Sequence, residues 1–100
     1  MELKAGNFVI ANAGREKGRC FIVLSVENQY LCLCNGKNRK LSKPKRIKIK
    51  HVVDVGHRND NICDLLKTDK LTDKAVRSAV SEFDSKLKAE NKKIGRFYLG

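Results

Sequence analysis

Three sets of side chains in this chain are able to do chemistry: a dense run of cations, four cysteines and two histidines. The run spans residues 35–51. It holds Lys37, Arg39, Lys40, Lys43, Lys45, Arg46, Lys48 and Lys50, eight of the 22 Lys and Arg, with none of the 11 acids, and closes on His51. The flanks are nearly neutral, with 4 bases and 3 acids in residues 1–34 and 10 bases and 8 acids in residues 52–100. Localised positive charge attracts polyanions and gains free energy by displacing their condensed counterions. Solubility alone is usually served by interspersed charges of both signs. Nucleic acid is the expected partner.

The cysteines and histidines point away from a metal and from catalysis. Structural zinc sites use paired C-x2–4-C knuckles. Here the order is Cys20, then Cys32 and Cys34 one residue apart, then Cys63. Cys32 and Cys34 share a face of a strand-like run and read as small core residues. Disulfides are not expected, because Met1–Gly6 lacks the basic region and long apolar stretch of a secretion signal. His51 and His57 have no catalytic partner in view, and no helical metal motif, Ser/His/Asp set or nucleotide loop is present. The sequence therefore predicts no enzyme, no cofactor, no metal and no small-molecule substrate. No apolar run approaches the roughly 20 residues needed to span a bilayer. A cytoplasmic monomer without a membrane partner is the expectation.

Elements must hold these cations in place. One hundred residues, 41% hydrophobic and only 6% aromatic, make one domain with a modest core. The expected division is a β-rich part over 1–56 and a helical extension of the same domain over 57–100. Short strands are predicted at Asn7–Ala11, Arg19–Val26, Tyr30–Cys34, Arg39–Ser42 and Ile47–Val55, with Glu27-Asn28-Gln29 as a tight connection and Asn35-Gly36 as a hairpin signal. In the last strand Arg46, Lys48 and Lys50 are expected on one face and Ile47, Ile49, Val53 and Val55 on the other, a rigid cationic stripe. Five short strands in about 50 residues suggest a small barrel. Arg19–Val26 is apolar on both faces, so a second cover is required. Val76, Ala79, Val80, Phe83 and Leu87 recur at helical spacing and supply it, in a helix over 73–90 with Thr72 as N-cap and Leu71 and Val76 as a hydrophobic staple. A shorter helix is predicted over Ile62–Lys67, capped by Asn59, Asp60 or Asn61, and Gly95–Gly100 reads as a short tail.

Between the first two strands lies Gly14-Arg15-Glu16-Lys17-Gly18-Arg19. Its spacing is not that of a P-loop, but glycine permits close backbone approach to a ligand, and Arg15, Lys17 and Arg19 offer charge. With Gly6-Asn7-Phe8-Val9-Ile10 before it and Phe21-Ile22-Val23-Leu24 after it, the segment resembles the KOW motif of ribosomal proteins and transcription elongation factors. Tyr30–Gly36, Lys43-Pro44-Lys45-Arg46 and Lys48-Ile49-Lys50-His51 extend the likeness. Over about residues 4–53 the chain is similar to small KOW-domain RNA-binding proteins of the large ribosomal subunit of archaea and eukaryotes, and to stand-alone bacterial relatives. The resemblance implies a mainly β fold with α, an SH3-like five-stranded barrel followed by an amphipathic helix packed on it. It also implies RNA contacts through Arg15, Lys17 and Arg19 and through Lys43, Lys45, Arg46, Lys48 and Lys50. Lys37, Arg39, Lys40 and His51 complete the candidate site from the basic run. The expected function is binding of structured RNA, ribosomal RNA or the ribosome, through phosphates. The alternative is a transcription- or translation-factor-like KOW module that docks on a protein such as RNA polymerase.

Overall fold

The computed structural model describes residues 3–94, and side chains within 3–87 and at 89. The tail at 95–100 lies outside the described residues. Five strands, β1 (Asn7–Ala11), β2 (Cys20–Glu27), β3 (Tyr30–Cys34), β4 (Lys45–Lys48) and β5 (Val52–Arg58), precede helices α1 (Asp60–Lys67) and α2 (Asp73–Ile94). They form one antiparallel sheet in the order β4-β3-β2-β1-β5. The outermost strands are thus neighbours in sequence, joined only by a 3-10 turn over Ile49–His51. In a flat sheet they would lie about 19 Å apart, four spacings of ~4.8 Å. Four residues reach at most about 14 Å. The sheet must therefore curl, and the turn is held at both ends, by Ile49 N–H to Gln29 O (2.8 Å) and Asn12 N–H to His51 O (2.9 Å).

Curling separates two apolar faces. The inner one gathers Val9, Ala11, Phe21, Val23, Leu31, Leu33, Ile47 and Val52, all buried and drawn from every strand. The outer one gathers Phe8, Cys20, Ile22 and Cys34 under Ile62 of α1 and Val76 and Phe83 of α2. The predicted helical stripe is the cover that β2 requires. Ala79, Val80 and Leu87 pack on the same cluster. Each fully buried aliphatic or aromatic side chain contributes about 1.5–3 kcal/mol, so Val76 and Phe83 are the main ties of helix to sheet. The helix starts are capped as their sequences suggest. Thr72 Oγ1 accepts from Ala75 N–H (3.1 Å) and Asn59 Oδ1 from Ile62 N–H (3.0 Å). The division expected at residue 56 falls inside β5, which continues to Arg58.

Three expectations are corrected. Arg39–Ser42 is not a strand, because other groups take the backbone that a ladder would use. Asn35 Oδ1 accepts from the N–H of Lys37 and Arg39, and Asp73 Oδ1 accepts from Leu41 N–H. Asn35-Gly36 does turn the chain, but it opens a connection lying against α2 rather than a tight hairpin. Gly36 (φ 75°) sits so close to Asp73 and Arg77 that a Cβ would collide with the helix backbone, and its carbonyl accepts from Arg77 Nη1 (3.2 Å). Finally, Ile47–Val55 is two strands. The 3-10 turn shifts the alternation by one residue, so Val52 is buried and Val53, expected inward, is 47% exposed. The cationic stripe is therefore broken after Lys48.

Candidate nucleic-acid interface

The β1–β2 loop is built on hydrogen bonds that need no side chain. Gly18 N–H donates to Ala11 O (2.8 Å), Lys17 N–H to Gly14 O and Arg19 N–H to Glu16 O. Gly18 has φ 87°, a left-handed conformation open to glycine at little cost. The loop exposes Arg15, Lys17 and Arg19 and turns Glu16 inward, to 5% exposure. The Glu16 carboxylate meets Arg39 Nε at 2.9 Å and Arg19 Nε at 3.5 Å. One buried acid thus fastens the β1–β2 loop to the connection between β3 and β4.

On the far side of this anchor, the loop faces β4 and the 3-10 turn across a surface groove of about 350 Å³. Ala13, Gly14, Arg15 and Glu16 form one wall, and Tyr30, Lys45, Arg46, Ile47, Lys48 and His51 the rest. Register places the β4 cations. Ile47 pairs with Leu31 in the inner core, so Arg46 opposite Cys32 and Lys48 opposite Tyr30 point outward. Arg46 Cζ lies 3.9 Å from the Tyr30 ring centroid and Lys48 Nζ 6.0 Å from it, within the range of cation–π attraction.

Of the twelve candidate residues, the structure brings Arg15, Lys45, Arg46, Lys48 and His51 to this groove. Lys17 and Arg19 are exposed in the same loop, with Arg19 turned toward Glu16. Lys50 is exposed on the 3-10 turn. Lys37, Lys40 and Lys43 are exposed on the connection that docks against α2, away from the groove lining. Arg39 has its guanidinium committed to Glu16, with 37% of its side chain exposed. Two groove residues escape a reading based on positive charge. Tyr30 is one, and its place five residues before the basic run was the available signal. Glu16 is the other, and an acid among cations is the pattern of an internal ion pair.

Cys20, Cys34 and Cys63 are buried, whereas the half-buried Cys32 lies opposite Arg46 in the ladder. Burial, with Asp84 nearby, pushes the Cys20 thiol up to about 12, and burial, with Asp73 nearby, does the same for Cys34. Both are protonated at neutral pH, whereas metal binding and nucleophilic attack need the thiolate. All four cysteines are free thiols. Among the described residues no cluster of three or more His, Cys, Asp or Glu is arranged to hold a metal ion, and no helix is long and apolar enough to cross a membrane. A second groove, of about 340 Å³ between β5, α1 and α2, carries mixed charge from Arg58, Asp60, Glu82 and Lys86. There His57 stacks on Phe83, with ring centroids 4.6 Å apart and an interplanar angle of 11°, and so serves packing. No family model matches the chain, and no curated protein matches it.

Proposed function

We propose that this chain is a cytoplasmic RNA-binding domain of the KOW type, an SH3-like barrel with a helical cover that grips phosphates of structured RNA. The observation that carries the reading is the groove, where Arg15 of the β1–β2 loop faces Lys45, Arg46, Lys48 and His51. Glu16, next to Arg15 in the chain, is turned inward onto Arg39 and Arg19. Strand order and the short joint between the edge strands support the barrel. Phosphate contacts position a protein on its target without reading sequence, and duplex RNA is recognised mostly through shape and backbone. The resemblance to small KOW proteins of the large ribosomal subunit makes ribosomal RNA the target class.

Titration of a structured ribosomal RNA fragment at several salt concentrations tests this. With about five or six phosphates engaged, log K falls with log salt at a slope of about −4 to −5. Lys45→Glu with Lys48→Glu abolishes most of the affinity, while Lys74→Glu with Lys86→Glu, exposed on α2, changes it little. Equal losses from both pairs would reduce the site to net charge. Binding of RNA polymerase that survives moderate salt, with no RNA binding, would favour the protein-docking alternative.

A further inference from the structure

A groove that gripped phosphates alone would need charge and no aromatic ring. This one holds Tyr30 beneath two cations. Tyr30 opens β3 and faces Lys48 across the ladder, with Arg46 two residues away on the same side. The Arg46 guanidinium lies 3.9 Å from the ring centroid, at stacking distance, and Arg46 is nevertheless exposed. Arg46 and Tyr30 both line the groove, whose remaining walls supply Arg15, Lys45 and His51. The groove volume of about 350 Å³ is at the small end of ligand sites, about 300–1,000 Å³. That is of the order of one nucleotide.

We infer that the groove takes a single unpaired nucleotide of the bound RNA, its base stacked on the Arg46–Tyr30 pair and its flanking phosphates against Arg15 and Lys45. Stacking on aromatic rings and on arginine planes is how proteins hold bases splayed from folded RNA. This rests on the RNA-binding reading and sharpens it. The preferred RNA is a helix interrupted by a bulge, since the cations beyond the groove follow the backbone while the groove takes the extruded base.

The test uses the full chain and two hairpins, one with a single bulged 2-aminopurine and one with the same residue paired. The wild type binds the bulged hairpin about tenfold more tightly, in the range for one stacked base, and quenches its fluorescence. In Tyr30→Leu and in Arg46→Lys, which keeps the charge but not the plane, the ratio of the two affinities drops toward one and the quenching is lost. Lys74→Ala keeps both. Equal binding of the two hairpins by the wild type, or a ratio unchanged in both variants, overturns the inference and leaves phosphate binding standing. No binding to either hairpin overturns the RNA reading itself. Displacement of the bulged hairpin by micromolar free mononucleotide would reassign the groove to a soluble ligand.

Discussion

Glu16 sets two electrostatic effects against each other. It is a negative charge beside a positive groove, so removing it should favour phosphate binding by roughly twofold, taking ~8 Å and a water-like dielectric. It is also the group that ties the β1–β2 loop to Arg39 at 2.9 Å. A hydrogen bond to a charged partner contributes about 1.5–3 kcal/mol. Because Arg39 keeps access to water, Glu16→Ala should sit at the low end, about 1–2 kcal/mol of stability lost in urea unfolding. We expect positioning to win, so that RNA affinity falls at least twofold although the chain gains a unit of positive charge. A rise in affinity would mean that Arg15 holds its place without the anchor. Sequence alone shows Glu16 as a lone acid in a basic loop. Its partner Arg39 is 23 residues away, so an acid among cations marks an ion pair without naming the partner.

At the scale of elements, what was legible followed from periodicity. Asn7–Ala11 and Tyr30–Cys34 carry the bounds expected of them, and the stripe from Val76 to Leu87 covers the sheet. Alternation failed at residues 49–51, because a 3-10 turn consumes three residues that a strand pattern counts as in, out, in. The reversal has a measurable signature. Val52→Lys places a charge in the inner core and should cost about 3 kcal/mol or more, whereas Val53→Lys at an exposed site should stay within about 0.5 kcal/mol. An unbroken strand would give the opposite order in thermal or urea unfolding. Arg39–Ser42 failed for a different reason. Its backbone partners are the side chains of Asn35 and Asp73, and Asp73 lies 32 residues beyond Leu41, outside any local pattern.

The whole molecule has two cores that differ in acid–base character. The outer one contains Cys20 and Cys34, whose pKa values rise from 9.0 to about 12 chiefly through burial. A group whose pKa is raised by folding stabilises the fold fully below its unfolded value and loses that contribution as pH climbs toward the folded value. Stability should therefore decline between about pH 9 and 12, by at most ~1.4 kcal/mol per pH unit per thiol. Cys20→Ala with Cys34→Ala should have a shallower decline than the wild type over pH 8–10 in urea midpoints. Parallel curves would show that other groups set the alkaline limit. The localisation of charge in residues 35–51 was legible from composition. The groove was not, because it depends on the β1–β2 loop, Tyr30, β4 and the 3-10 turn coming together.

That curl also makes the first strand depend on the last. β1 lies between β2 and β5, and its Asn7 pairs with Arg58, so the first strand made waits for the last before its free edge is filled. The inner core is then complete, yet Phe8, Ile22 and Cys34 still face outward until Val76 and Phe83 have been added. A nascent chain halted just beyond Arg58 would present a greasy flank next to a cationic groove. Such an intermediate invites chaperone capture or self-association. The helices therefore double as a shield that keeps this flank of the sheet out of water.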